Sequence, residues 1–280
     1  VNLLPLGGRI SGGQVLFKGE DLVHKTPRQL RQIRGREIGM ILQDPMTSLN
    51  PLMSIGQQIA EVFRYGKQRL SRRLRRAKVL EVLRRVQIPA AEERLSAYPH
   101  QFSGGMRQRI AIAINVAGEP DLLIADEPTT ALDVTIRQQI LKLLKLVQRE
   151  RNSAVVLVSH DLHAFARFCD EVAIMYAGRV VEHGPVASIF SQPAHPYTQG
   201  LIAATPSIAR HHERLQEIPG QPPRPGEYGQ GCRFAERCPK ANQQCHQAYP
   251  ELSALESRNE LSFSPTKHRV ACWHPLEITQ

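Results

Sequence analysis

The 280-residue sequence has no long apolar run, few aromatic residues and one cysteine in its first four fifths. Its best apolar stretches, Ile110 to Val116 and Ala154 to Val158, fall well short of the roughly 18 residues a spanning helix needs, so the chain is not expected to cross a membrane by itself. The first residues, Val1-Asn2-Leu3-Leu4-Pro5-Leu6, have neither a basic leader nor a small-residue cleavage site and do not read as a secretory signal. They also lack an initiating Met and open on an apolar segment, so a beginning further upstream is expected. Acidic residues are in deficit, 26 against 36 Lys and Arg, and the resulting +10 calls for an anionic partner: nucleic acid, an acidic membrane surface or a phosphorylated ligand. Charge alone does not choose among these. Cys169 stands alone, while Cys232, Cys238, Cys245 and Cys272 share the last fifth, a distribution that argues against a general disulfide scaffold.

What is present reads as an α/β protein. Residues 14–23 suggest a strand, a Gly turn and a second strand. Ile38 to Leu42 is a short apolar run stopped at Gln43-Asp44-Pro45. Apolar spacing of three and four predicts helix over about 55–88, closed by Pro89, and a buried helix follows Ser103-Gly104-Gly105. Leu122 to Ala125 and Ala154 to Val158 are strand-length apolar runs separated by a helical segment near 134–150, the rhythm of a parallel sheet whose strands are buried on both faces. A strand over Glu171 to Tyr176 follows, then a Pro/Gly-rich connector at 219–226 and a polar tail. No internal repeat is visible.

Four short segments carry chemistry. Leu122-Leu123-Ile124-Ala125-Asp126-Glu127-Pro128 ends a buried strand in two carboxylates, at the sheet edge where α/β folds bind ligands. There Asp126 can orient Mg²⁺ and Glu127 can polarise a water aimed at phosphorus, although the peptide alone also fits a strand before an acidic loop. Ser103-Gly104-Gly105-Met106-Arg107-Gln108-Arg109 opens a helix with bare backbone N–H groups suited to an anionic phosphate; a plain Ser cap fits as well. Ser159-His160-Asp161 follows a strand in register with Glu127, and Gln43 ends another; singly, each is an ordinary loop residue.

Taken in order, Gln43-Asp44-Pro45, Ser103 to Arg109, Leu122 to Asp133 and Ser159-His160-Asp161 resemble the Q-loop, signature, Walker B with D-loop, and switch His of ABC transporter ATP-binding subunits. The likeness covers nearly the whole chain. Gln43 to Pro51, the Met of Ser-Gly-Gly-Met, His195-Pro196-Tyr197-Thr198 and Ile218-Pro219-Gly220 look like the dipeptide/oligopeptide, or nickel, importer branch. The resemblance implies an α/β P-loop NTPase (RecA-like) ABC ATPase core with a helical subdomain and a Cys-bearing C-terminal extension. The expected boundaries are a partial core at 1–44, the helical subdomain at 45–118, core again at 119–190 and the extension at 191–280.

It further implies ATP and Mg²⁺ as ligands, Glu127 as general base, His160 as γ-phosphate sensor and Asp126 and Gln43 at the metal. Ser103, Gly104, Gly105, Gln108 and Asp133 would close on nucleotide. The implied partners are two integral membrane permease subunits, a second, homologous ATPase subunit and, indirectly, an extracytoplasmic solute-binding protein. The implied location is the cytoplasmic face of the inner membrane, as a peripheral subunit, and no nucleic acid is expected. ABC-type ATPases of DNA repair or the ribosome are the competing class, but His-Pro-Tyr and the Cys-rich tail are not their signature.

The chain departs from the family at one point. Gly-x-x-x-x-Gly-Lys-[Ser/Thr], which cradles phosphates, does not occur; Gly8-Arg9-Ile10-Ser11-Gly12-Gly13-Gln14 has the glycines but Gln where Lys belongs. A chain that starts downstream of the P-loop is expected, and the competing explanation is a degenerate subunit that supplies its signature in trans. The four tail cysteines suit Fe–S or tetrahedral zinc. By resemblance they imply a 4Fe–4S cluster; zinc, free thiols or disulfides are the other readings. Finally, ten of the Lys and Arg lie between Arg64 and Arg85 against a single acid, Glu81, so nearly all the excess charge belongs to one helical stretch. A solvated helix face accounts for that, and so does attraction to acidic lipid headgroups or a partner loop.

Overall fold

The computed structural model of the chain describes residues 4, 7–65, 70–130, 132–205, 217–255 and 267–276. Leu3, Pro5, Lys67, Arg69 and Ala131, all used in the sequence reading, lie outside the described residues. The chain divides into two compact units, Val1–His160 and Asp161–Gln280. The sequence boundaries follow motifs, whereas this division follows packing.

The first unit opens with the antiparallel hairpin of β1 (Leu16–Phe17) and β2 (Glu20–Asp21). Lys18 and Gly19 both take positive φ, as a two-residue hairpin turn requires. Helix α1 (Pro27–Ile33) starts from a Thr26/Gln29 capping box. Strand β3 (Ile38–Ile41) leads into the short α2 (Pro45–Ser48), whose N-terminus is held by Asp44 accepting from the Met46 amide at 2.8 Å. Helices α3 (Ile55–Tyr65), α4 (Arg72–Arg85) and α5 (Gly104–Ala117) pack on one another. Ile55, Ile59, Leu83, Ile110 and Ile112 are fully buried, each contributing about 1.5–3 kcal/mol of apolar burial.

Strands β4 (Leu122–Asp126) and β5 (Ala154–Val158) flank helix α6 (Val134–Arg151) in sequence, and the parallel order is β3-β4-β5. Pairing of Ile41 with Ala125, and of Asp126 with Val158, aligns the carboxyl ends of the three strands. Everything that follows these strands is thereby gathered at one edge.

One expectation fails here. Strand β5 is not buried on both faces: Val156 and Val158 are 48% and 46% exposed. The exposed residues alternate, Ala154, Val156 and Val158, so they share one face of the strand and that face is uncovered among the described residues.

The second unit contains α7 (Leu162–Phe168), β6 (Glu171–Tyr176), β7 (Arg179–Pro185), α8 (Val186–Ser191), α9 (Pro196–Ala204), α10 (Gln243–Gln247), β8 (Ser253–Ala254) and β9 (Arg269–Val270). Its antiparallel sheet runs β6-β7-β9-β8, so residues near the C-terminus complete a sheet begun before residue 190. Val172, Ile174, Tyr176, Val181, Ile189 and Phe234 form its core.

Candidate active site

Glu127 is the hub of the first unit's site. It follows β4 with φ of 45°, a left-handed conformation that costs a non-glycine residue about 1–2 kcal/mol, and its amide is tied to Val158 O at 2.9 Å. The strained turn aims the carboxylate across the aligned strand ends. Gln43, two residues after β3, donates its Nε2–H to Glu127 Oε2 at 3.0 Å. His160, two residues after β5, sets Nδ1 3.2 Å from Glu127 Oε1. Three parallel strands therefore bring together three residues up to 117 positions apart in the sequence.

Thr130 completes the group, its hydroxyl donating to Glu127 Oε2 at 2.8 Å. Sequence reasoning quoted this residue but gave it no role; its spacing of three from Glu127, across a Pro turn, was the available signal. The Thr130 hydroxyl and then His160, with help from Gln43, hold the Glu127 carboxyl below its ordinary pKa. Glu127 is therefore a carboxylate at neutral pH, partly exposed, beside a histidine that is mostly in solvent. Such a group can accept a proton from, or align, a water molecule. Asp126 ends β4 next to it, opposite Val158.

The signature residues are placed separately from this group. Ser103 caps α5, accepting from the Met106 amide at 3.4 Å, and Gly104 is open to solvent. A Cβ on Gly105 would come within 2.9 Å of Ile136 Cγ2, so glycine lets α5 lie close against the start of α6. Asp133 caps that same end of α6, accepting from the Ile136 amide at 2.9 Å. Gln108 is buried with its Nε2 unpartnered, whereas Arg107 reaches Met46 Sδ at 2.8 Å and joins α5 to the helix after Gln43. None of the hydrogen bonds around Glu127 among the described residues involves Ser103, Gly104, Gly105 or Gln108.

In the second unit Cys232, Cys238, Cys245 and Cys272 line one small pocket together with His195. Burial pushes the Cys232, Cys238 and Cys272 thiols up, that of Cys272 to about 11, and their neighbouring thiols add to the rise. The Cys232 amide donates to Cys245 O at 2.7 Å. At Gly231 a Cβ would meet the Cys245 and His246 carbonyls. Glycine is thus the residue that allows this close crossing. No group of three or more His, Cys, Asp or Glu side chains among the described residues is arranged to hold a single metal ion. Beside the pocket, the fully buried Glu182 accepts from the Ala194 and His195 amides at 2.7 and 3.0 Å and contacts His268 Nε2 at 2.7 Å. Burial lowers the His195 pKa to about 4, and its Nδ1 accepts from the Tyr197 amide at 3.0 Å.

A parallel sheet presenting glutamine, glutamate and histidine at its carboxyl edge, with a Ser-Gly-Gly helix beside it, has the architecture of an ATP-binding cassette. Two family models match: ABC transporter over residues 4–130, and the oligopeptide/dipeptide transporter C-terminal region over residues 181–245. A putative peptide import ATP-binding protein of Brucella abortus is 48% identical over 88% of this chain and 74% of its own length. The dipeptide transport ATP-binding protein DppD of Bacillus subtilis is 45% identical over 97% and 78%. The oligopeptide transport ATP-binding protein OppD of Salmonella typhimurium is 44% identical over 99% and 79%. Among solved structures, a dimeric ATP-binding cassette bound to ADP and phosphate superposes with a TM-score of 0.56 at 29% identity, covering 63% of this chain and 74% of that one. The cassette cbiO1 of Clostridium perfringens superposes with the same score at 30% identity, covering 65% and 69%. The chain belongs to the ATP-binding subunits of ABC transporters, in their oligopeptide/dipeptide branch.

Proposed function

We infer that this chain energises import of small peptides as an ATP-hydrolysing subunit of an ABC transporter. The observation that carries the chemistry is the convergence of Gln43, Glu127 and His160 at one sheet edge. In this reading the Glu127 carboxylate takes hydrogen-bond charge from the attacking water, which raises its nucleophilicity toward the γ-phosphorus. Gln43 spends its N–H on Glu127, leaving its carbonyl oxygen for a hard cation, and Asp126 stands next to the same position. These two residues would hold Mg²⁺, which supplies charge neutralisation for the leaving phosphates. His160, mostly solvated, is free to contact the γ-phosphate while steadying Glu127. The 280 residues include no Gly-x-x-x-x-Gly-Lys-[Ser/Thr]. The bare amides of Ser103 to Gly105 are offered to a nucleotide held by a second ATPase subunit.

The partners in this reading are two permease subunits in the membrane and, beyond them, a solute-binding protein, with the chain on the cytoplasmic face. No described helix is long and apolar enough to span a bilayer. Peptide uptake into proteoliposomes containing the whole transporter tests it: uptake should require this chain and ATP. Uptake that persists without it would overturn the reading.

The four cysteines form a site for a 4Fe–4S cluster in this reading. A single tetrahedral zinc ion gathers four sulfurs about 2.3 Å from one centre. What supports a shared site is that these four line one pocket. The cluster would supply a rigid cross-link of the loops that carry the cysteines, which must lose their protons on binding it. Anaerobically purified protein should be brown and contain iron; colourless, zinc-loaded protein would contradict this assignment.

A further inference from the structure

The first five residues of α4, Arg72-Arg73-Leu74-Arg75-Arg76, carry four arginines and no acid. Among the described residues the helix's ion pairs begin at Lys78: Lys78 with Glu81, Arg84 with Glu92 and Arg85 with Glu150. None of the four leading arginines has an acidic partner among the described residues. Nor does packing account for them. The first buried residue of the helix is Val79, so its leading turns stand clear of the core formed by Val79, Val82 and Leu83. Ser71 caps the helix, and the N–H groups behind it already make this end positive. Four cations there repel both the dipole and one another, an arrangement that an isolated helix disfavours. Local conflict of this kind marks a surface that answers to a partner.

Arg72, Arg73 and Arg76 are exposed, and between them Leu74 is 47% exposed. Helix α3 ends seven residues before Arg72 in Tyr65, which is 61% exposed and has the Arg64 guanidinium 5.4 Å from its ring centre. Arginines with long aliphatic stems around a half-exposed leucine suit the charged headgroup layer of an anionic bilayer, where each cation near the surface adds attraction. A single-stranded nucleic acid groove instead needs a series of stacking aromatics, and this surface has one. We propose that the leading end of α4 docks on an anionic bilayer surface, with the arginines on lipid phosphates and Leu74 in the headgroup layer.

Co-sedimentation of the full chain with large vesicles tests this. Wild-type protein should pellet with phosphatidylcholine vesicles containing phosphatidylglycerol, far less with pure phosphatidylcholine, and progressively less as salt rises. Each arginine removed in the series R72Q, R73Q, R75Q and R76Q should weaken partitioning by about fivefold. A control, R28Q with R31Q, removes exposed charge from α1 and should leave partitioning unchanged. The fourfold variant should melt no lower than wild type, because it removes cations from a positive helix end; this separates lost docking from lost folding. Equal pelleting with neutral vesicles, equal losses in the control, or preferential retention on duplex or single-stranded oligonucleotide would overturn the proposal.

Discussion

Each unit holds a glutamate against a histidine, and the two pairs are used in opposite ways. Glu127 and His160 meet at 3.2 Å on a sheet edge, with side-chain exposures of 26% and 70%. Glu182 and His268 meet at 2.7 Å, exposed 0% and 13%. Thr130 and His160 keep Glu127 ionised, yet water still reaches it. Burial pushes the Glu182 carboxyl up, but His268 and the Ala194 and His195 amides more than offset that and hold it ionised. Its lone pairs are spent on joining β7, β9 and the start of α9. The same two residue types thus serve solvent-facing proton chemistry in one unit and loop anchorage in the other; burial and partners, not identity, set the role.

The largest test of this contrast removes the anchor. Glu182→Leu leaves His268 and two amides facing an apolar side chain and should destabilise the second unit by about 3–5 kcal/mol in urea unfolding. A loss below about 1 kcal/mol would make the buried pair dispensable. His195 is next. Its folded pKa of about 4 lies below the ordinary 6.5, so the unfolded chain binds the extra proton between those values. Stability should therefore fall by roughly 3 kcal/mol as pH drops from 6.5 to 4. In His195→Asn, which keeps a cap acceptor for the Tyr197 amide, that part of the slope should vanish.

Smaller effects belong to the first unit. Gly105→Ala drives a methyl into Ile136 and should cost about 1–3 kcal/mol, with a matching loss of the close approach of α5 to α6. Thr130→Val removes the chief cause of the depressed Glu127 pKa. Hydrolysis by the assembled transporter, which needs the carboxylate, is lost as pH falls through that pKa; the acid limb of its pH–rate profile should move to higher pH, with little change near neutrality. An unmoved limb would remove Thr130 from the site.

Much of the first unit was readable because its strands are continuous apolar runs that end in polar motifs. The parallel relation of β4 and β5, and the meeting of Glu127 with His160 at their ends, follow from that pattern, whereas the place of β3 beside β4, which brings Gln43 in, is seen only in the structure. Exposure of β5 did not follow, since an apolar run looks alike whether one face of the strand is covered or both. The second unit was less legible. Strands β8 and β9 are two residues each, too short for any periodicity; β9 is recruited by pairing with β7, and β8 by pairing with β9. Glu182 looks like an ordinary strand glutamate until its partners arrive from 12 to 86 residues away. The four tail cysteines suit a metal site by residue type, yet in the structure they line one pocket with no described group placed to hold a metal ion, and the neutral, buried His195 beside them is visible in sequence only within a family motif.

Hydrolysis in this reading depends on the Glu127 carboxylate. Phosphate release by the assembled transporter carrying Glu127→Gln tests it most directly: the rate should fall by about 10²–10⁴-fold while ATP binding and the melting temperature hold. Turnover within a few fold of wild type would contradict it.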